Sequence, residues 1–356
     1  MIIRRFSKCV STYIKAGEKV IHGLKNRYSA SVKFNCYSQS CNNGPWSVLF
    51  FGTDEFALAS LKALNHNYRQ SGFLRRLEVV TAYRGQENAV IKYAKEHNII
   101  VHNWPPRIKK DDFEIGVVVS FGHLIPSRII DLFPLGMINV HGSLLPRWRG
   151  AAPICHALLN GDTVTGVSIM KIMPKKFDVG SVIAQRKISI HPDETYVELY
   201  RKLANLGADL LTETMTEIPD VLNTAQPQIE NEATYAPKIT EKISYINWKD
   251  MSATNIYNLQ RALCGIEPLR THFNKEVVKL LDVRVVSESA NINCTREKVP
   301  GLAIFDKKNK KLYVSCKGNG WITVGTVVIP GRRPQSAFNF GCGFILNRKE
   351  KSCSFY

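Results

Sequence analysis

Three side chains that can stabilise an oxyanion and move a proton lie in two short segments bounded by glycine. Asn139 and His141 begin the segment Asn-Val-His-Gly-Ser-Leu-Leu-Pro-Arg-Trp-Arg-Gly, which follows an apolar run, and Asp178 lies in Lys-Phe-Asp-Val-Gly. An amide donates to a carbonyl oxygen, and an imidazole donates when it is charged or accepts a proton when it is neutral. A nearby carboxylate favours the charged imidazole. This set can catalyse addition to a carbonyl group without a metal or a covalent nucleophile.

The same side chains have a structural explanation that the residues alone leave open. Alternation along a strand places Asn139 and His141 on one face, and Gly142 lets the backbone turn close to a ligand. Asn and His also cap secondary structure, so both residues could serve only to start the next element.

Alternating apolar runs and helical patterns predict the elements that must position these residues. Strands are expected at 47–51, 77–82, 99–102, 115–120 and 137–140, with helices after Gly52 and over 88–97. The uninterrupted apolar strands are typical of a parallel sheet covered on both faces. We therefore expect an open, mostly parallel, Rossmann-like α/β sheet with ligands bound beyond the carboxyl ends of its strands.

The remaining pattern divides the chain into further regions. Two strands at 165–170 and 181–190 surround Asp178, and a long helix follows over 195–218. Short strands separated by turns then predict a small C-terminal β-barrel of the OB type. The expected regions are a leader at 1–45, a catalytic domain at 46–219, a linker at 220–244 and a β-rich domain at 245–356.

Positive charge is concentrated at the two ends of the chain. The formal net charge is +18: residues 1–45 carry eight Lys or Arg and one acid, residues 46–244 carry 22 basic and 21 acidic residues, and residues 245–356 carry 18 and eight. A neutral body with basic ends indicates a polyanionic partner. A solvated, lysine-rich surface is the alternative that charge alone leaves open.

The leader and the cysteines bear on the compartment. Residues 1–45 are rich in Arg, Lys and Ser, which is typical of a mitochondrial transit peptide, although a basic tail without targeting function has the same composition. The nine cysteines include no Cys-x-x-Cys pair, and we expect reduced thiols. We expect no metal site, no membrane association and a monomer.

Residues 139–146 resemble the Asn-x-His-x-Ser-x-Leu-Pro signature of the folate-dependent formyltransferases, with Asp178 where that family has its third catalytic residue. Residues 143–153, together with Gly52-Thr53, Gly161-Asp162 and residues 165–170, resemble the branch that acts on methionyl-tRNA. The resemblance is close over about residues 46–240 and weaker beyond.

The resemblance implies transfer of a formyl group from 10-formyltetrahydrofolate to the α-amine of methionyl-tRNA in the mitochondrial matrix, for translation initiation. The implied catalytic residues are Asn139, His141 and Asp178. The implied folate-binding residues are Ser143, Leu144, Leu145, Pro146, Phe121, Gly122 and Leu124. The implied tRNA-binding residues are Arg147, Arg149, Lys307, Lys308, Lys310 and Lys311.

One departure and two alternatives accompany this interpretation. Residues 83–87 stand where bacterial members carry a long basic loop that grips tRNA, so the basic C-terminal region becomes the candidate for that contact. A 10-formyltetrahydrofolate hydrolase, or a formyltransferase acting on a small amine, would use the same three residues. A catalytically silent tRNA-binding protein would keep the fold.

Overall fold

A seven-stranded sheet forms the first half of the structure, a computed structural model that describes residues 44–82, 85–287, 292 and 297–356. The expected leader therefore lies outside the described residues, apart from Gly44 and Pro45. The strands are β1 (Trp46–Gly52), β2 (Leu74–Thr81), β3 (Val101–Asn103), β4 (Ile115–Val119), β5 (Met137–His141), β6 (Val164–Lys171) and β7 (Val182–Ser189). Their order is β3-β2-β1-β4-β5-β6-β7. The first five strands in this order pair in parallel. Strand β6 pairs antiparallel with β5, and β7 pairs antiparallel with β6, so the predicted mostly parallel sheet is confirmed.

Both faces of this sheet are covered, as the apolar strands predicted. Val48 and Phe50 of β1 pack into one hydrophobic cluster, while Leu49 and Phe51 pack into another on the opposite face. Side chains alternate across a strand, so a strand buried on both faces must be apolar at every position. The first cluster also contains the buried faces of several helices that lie against the sheet.

Six helices accompany the first sheet. They are α1 (Glu55–Arg69), α2 (Ala89–Glu96), α3 (Ser127–Ile130), α4 (Pro153–Leu159), α5 (Tyr196–Thr216) and α6 (Asp220–Asn223). Local capping sets where the longer ones begin. The Asp54 carboxylate accepts from the Ala57 amide at the start of α1, and Thr195 with Glu198 forms a capping box at the start of α5.

The segment after α6 runs back along the first sheet. Gln226 pairs with Val182 of β7, and Tyr235 pairs with Arg149 near the Asp178 loop. We call residues 226–237 the strap. The expected linker thus contributes a stretch of backbone that is hydrogen-bonded to the catalytic half of the structure.

Among the described residues, the second half contains two α-helices and an antiparallel, curled sheet. Its elements are α7 (Ala253–Leu263), β8 (Leu269–Phe273), β9 (Glu276–Val285), β10 (Leu302–Asp306), β11 (Lys311–Ser315), β12 (Trp321–Val328), β13 (Gln335–Ser336), α8 (Ala337–Phe340) and β14 (Ser352–Ser354). The strand order is β14-β10-β11-β12-β9-β8, with β13 beside β12. His272 and Tyr356 exchange backbone hydrogen bonds and bring the two edges together. This barrel-like arrangement confirms the predicted β-rich fold.

Contacts through α7 join the two halves. The helix packs on α4, where the Cys155 thiol lies 3.2 Å from the Ala262 carbonyl oxygen. The Tyr257 hydroxyl donates to Asp193 at 2.6 Å. Both sheets belong to the compact unit Asn42–Tyr356. Among the described residues, no helix combines the length and apolar character needed to cross a membrane.

Candidate active site

A cavity of about 810 Å³ opens beyond the carboxyl ends of β1, β4 and β5. The chain leaves β1 and β4 in opposite directions along the sheet, and such a switch point leaves a crevice between the departing loops. Asn139, His141 and Asp178 all line this cavity. The structure therefore brings together the three residues that the sequence singled out.

The imidazole of His141, the last residue of β5, is held in one orientation. Its Nε2 atom lies 2.9 Å from the carbonyl oxygen of Trp148. A carbonyl oxygen only accepts, so Nε2 carries a proton and the neutral ring keeps its lone pair on Nδ1. Nδ1 lies 3.8 Å from Oδ1 of Asp178, which is too long for a direct hydrogen bond but close enough for a strong charge interaction. Nδ1 is therefore the nitrogen that faces Asp178 and that carries the added proton when the ring is charged.

The carbonyl that orients His141 belongs to a strained residue. Trp148 has a φ of 62°, in the left-handed region that non-glycine residues rarely adopt. Its amide donates to Thr234 of the strap at 2.9 Å, and its indole nitrogen donates to Asp162 at 2.8 Å. The Arg147 guanidinium lies 4.5 Å from the indole ring centre. These contacts fix the backbone that points at His141.

Asp178 is held by one carboxylate oxygen and leaves the other free for His141. Oδ2 accepts from the Gly150 amide at 2.9 Å. The Gln228 side-chain amide donates to the carbonyl oxygens of Asp178 at 2.9 Å and of Gly180 at 2.8 Å. The Asp178 side chain is mostly buried, so its charge is only weakly screened by solvent.

Asn139 lies two residues before His141 on the same face of β5. Its backbone is in register with Val118 of β4 and Met170 of β6. The capping explanation for these residues does not hold, because α4 begins after Ala152 without any side-chain cap. Asn139 and His141 instead project into the cavity, where both can contact one carbonyl oxygen.

The loop after β4 forms an apolar wall of the cavity. Phe121, Gly122 and Leu124 all line it, as the resemblance implied. The Phe121 ring packs edge-on against Trp104 with ring centres 5.1 Å apart, and His123 stacks on Trp104 at 5.6 Å. This wall can take a flat, largely apolar ring system.

The structure corrects one expectation about the folate site, which concerns residues 143–146. Ser143, Leu144, Leu145 and Pro146 do not line the cavity. The Ser143 side chain is fully buried and donates to the Arg147 carbonyl at 2.6 Å, while the Leu145 amide donates to Ser168 of β6 at 3.0 Å. The segment therefore packs against the antiparallel strand β6, where the Ser168 hydroxyl accepts the hydrogen bond of the Leu145 amide.

Comparison with known proteins decides the family. The family described as formyl transferase matches residues 88–215, and the formyl transferase C-terminal domain matches residues 238–344. Human mitochondrial methionyl-tRNA formyltransferase is 39% identical over 308 residues, covering 85% of this chain and 78% of that protein. The enzyme of Acetivibrio thermocellus is 33% identical, covering 85% and 98%. The chain belongs to the methionyl-tRNA formyltransferase family.

Solved structures show the same fold at lower identity. WlaRD, a sugar 3N-formyl transferase studied with dTDP and 5-N-formyl-THF, gives a TM-score of 0.57 at 18% identity and covers 81% of this chain and 98% of that one. An N-formyltransferase from Helicobacter canadensis, studied with folinic acid and dTDP-3-aminofucose, gives 0.57 at 19%, covering 78% and 98%.

In this member of the formyltransferase family, the Arg149 side chain is not placed to bind tRNA. Its side chain is 3% exposed. Nε donates to Gln228 at 2.9 Å, and Nη1 donates to both carboxylate oxygens of Glu230 at 2.9 and 3.0 Å. The expectation that Arg149 contacts tRNA is therefore wrong: the charge is already neutralised and enclosed by the strap.

Arg147 is also engaged within the protein. Its Nε and Nη2 atoms donate to the two oxygens of Asp162 at 2.9 and 2.6 Å. Burial alone would raise the pKa of Asp162, but hydrogen bonds from Arg147, Asn160 and Trp148 hold it below its ordinary value. The structural pairing, rather than an open guanidinium, is what the structure shows for Arg147.

The four lysines expected to contact tRNA lie on the turn between β10 and β11 and on the first residue of β11, and all are exposed. The Asp306 carboxylate accepts from the backbone amides of Lys308 and Asn309 at 2.9 and 3.1 Å, which fixes this turn. Lys310 lies 5.8 Å from the ring centre of Phe338. The turn is a compact, positively charged surface; its members are Lys307, Lys308, Lys310 and Lys311.

Sequence reasoning missed a further part of the cavity wall. Phe56, Tyr196 and Tyr200 line the cavity there, with Phe56 and Tyr200 ring centres 5.5 Å apart. The sequence did not identify them as cavity residues, since amphipathic spacing does not distinguish a core face from a cavity face. Burial raises the pKa of both tyrosine hydroxyls and raises the pKa of the Cys155 thiol to about 12. A buried thiol with a raised pKa is poorly suited to act as a nucleophile.

In the part of the chain that the structure describes, the cysteines and the potential metal ligands form no further candidate site. The cysteines in that part are all free: Cys155, Cys264, Cys316, Cys342 and Cys353. No group of three or more potential metal ligands occurs among the described residues.

Proposed function

We propose that this protein transfers the formyl group of 10-formyltetrahydrofolate to the α-amine of methionyl-tRNA, giving N-formylmethionyl-tRNA for mitochondrial translation initiation. The observation that carries the proposal is the placement of His141 Nδ1 opposite the free oxygen of Asp178, inside the cavity beyond the parallel strands. Membership of the methionyl-tRNA formyltransferase family supports the choice of acceptor.

The cavity suits a folate donor. Its volume of about 810 Å³ lies within the usual range for sites that bind small molecules. The loop containing Phe121, Gly122 and Leu124 offers an apolar wall for the ring system, and Asn139 offers an amide at the end of β5. The bound donor supplies the formyl carbon that the amine attacks.

The side chains of the protein then stabilise charge and move one proton. Asn139 donates to the formyl oxygen, where negative charge develops as the amine adds. Because Trp148 occupies Nε2, the Nδ1–H of charged His141 is the donor that remains available to the same oxygen. Asp178 offsets the imidazolium charge and accepts the amine proton through a water. That proton ends on the nitrogen that releases the formyl group.

Charge and the mitochondrial relatives support the proposed partner and compartment. The lysine turn between β10 and β11 is the proposed contact for the tRNA backbone, since exposed lysines attract phosphates without sequence preference. The basic residues 1–45 are the proposed transit peptide for entry into the matrix. Mitochondrial relatives in human and mouse support this location. We propose that the enzyme acts as a monomer.

The deciding experiment measures formyl transfer from 10-formyltetrahydrofolate to methionyl-tRNA, with uncharged tRNA as the control. The proposal requires formylmethionine on the charged tRNA alone. Hydrolysis of the donor at the same rate without any amine would indicate a hydrolase instead. Binding of tRNA with neither reaction would indicate a catalytically silent protein.

A further inference from the structure

Asp178 lies in a loop whose preceding residues face solvent. Residues 173–177, directly before it, are exposed, and Asp178 itself has a φ of 55°. The loop ends at Gly180, where a Cβ would lie 1.7 Å from the Lys171 carbonyl oxygen, so that end is pressed against β6. Contacts from outside the loop, such as the Gly150 amide that donates to Oδ2, help to fix where the carboxylate points.

One such contact comes from the strap. The Gln228 amide nitrogen donates to the carbonyl oxygens of Asp178 and Gly180, while its oxygen accepts from Nε of Arg149. Carbonyl oxygens only accept and a guanidinium only donates, so these partners fix which end of the amide is which. Arg149 is held in turn by Glu230, the strap residue two positions further on.

We propose that Gln228 is a positioning residue for Asp178, and that Arg149 with Glu230 holds Gln228 in the orientation this requires. The inference rests on the proposed function, in which Asp178 acts on His141. A glutamine is suited to the position because it supplies two donors and one acceptor without a charge. The strap thereby connects a chain segment about 50 residues away to the catalytic carboxylate.

The test is Gln228→Glu, which keeps an acceptor for Arg149 but removes both donors to the loop. We expect kcat for formyl transfer to fall about 10- to 100-fold, since small displacements of a catalytic group cost this much. We expect KM for 10-formyltetrahydrofolate and for methionyl-tRNA to change by less than about 3-fold. Gln228→Met, which is neutral and of similar length, is measured beside it and decides the question where Gln228→Glu lowers Tm strongly.

A double-mutant cycle separates positioning from general stability. In an Asp178→Asn background, measured by single turnover, Gln228→Glu should cost less than about 3-fold, because its effect acts through the missing carboxylate. The matched control is Gln185→Glu. Its amide also donates to a backbone carbonyl, that of Leu145 at 2.8 Å, and its effect should be equal in both backgrounds.

Equal losses from Gln228→Glu in both backgrounds would overturn the inference, as would an unchanged kcat in the single variant. An Asp178→Asn variant with full activity would instead count against the proposed function. The two failures are therefore distinguishable.

Discussion

Replacing Asp178 with Asn removes the catalytic charge while leaving most of the local geometry in place. The asparagine oxygen can still accept from the Gly150 amide, which now binds Oδ2 at 2.9 Å. The loop backbone keeps both hydrogen bonds from Gln228. What disappears is the negative charge 3.8 Å from His141 Nδ1.

The size of the effect follows from that distance. Two unit charges 3.8 Å apart interact by about 4 kcal/mol at an effective dielectric constant of about 20. Both side chains are largely buried, at 7% and 12% exposure, so solvent screens this interaction little. If His141 is charged in the transition state, the loss corresponds to about a 1000-fold slower reaction. General acid–base contributions of about 100- to 10,000-fold bracket this value.

The assay is single-turnover formyl transfer to methionyl-tRNA, with donor binding and Tm measured on the same protein. We expect folate affinity and Tm close to those of the parent and a rate lower by about three orders of magnitude. A rate within about 10-fold of the parent would show that His141 does not carry charge opposite Asp178 at the barrier. Loss of donor binding would show that the carboxylate acts in the ground state.

Three further outcomes are expected. His141→Ala should abolish turnover but leave tRNA affinity unchanged in a filter-binding assay; retention of most activity would exclude the mechanism. Removing the four lysines of the β10–β11 turn should weaken tRNA binding and reduce its salt-dependence slope by up to about 3, whereas an unchanged slope would place the contact elsewhere. The lowered pKa of Asp162 means that its stabilisation is present above its ordinary pKa and is lost as pH falls through the lower folded value, so Asp162→Asn should flatten the decrease of Tm below about pH 4.

The sequence predicted the elements whose pattern is local. The apolar runs of β1 and β4 and the capped, amphipathic α1 and α5 follow from neighbouring residues, and the structure has them close to the expected bounds. The edge strand β14 was not expected, because three residues carry no periodicity and the partner strand β10 defines it. Strand β8 was not expected either, because its sequence after Pro268 mixes polar and apolar residues. Its antiparallel pairing with β9 defines it.

The site was predictable where its residues share one segment. Asn139 and His141 lie two residues apart on β5, so strand alternation alone placed them on one face. The environment of Arg149 could not be predicted from the sequence, since its partners Gln228 and Glu230 lie 79 and 81 residues away along the chain. Nothing in the local sequence distinguishes an arginine that will be buried by a distant strap from one that remains free to bind phosphate.

The Arg147-Trp148-Arg149 segment therefore has a different role from the one its composition suggested. Arg147 and Asp162 hold Trp148, whose carbonyl orients His141. Arg149 holds Gln228, which fixes the loop of Asp178. The two arginines that the sequence analysis assigned to tRNA binding therefore help to position His141 and Asp178. We therefore propose that phosphate contacts come from other cations, and the exposed lysine turn of the second sheet remains the proposed group.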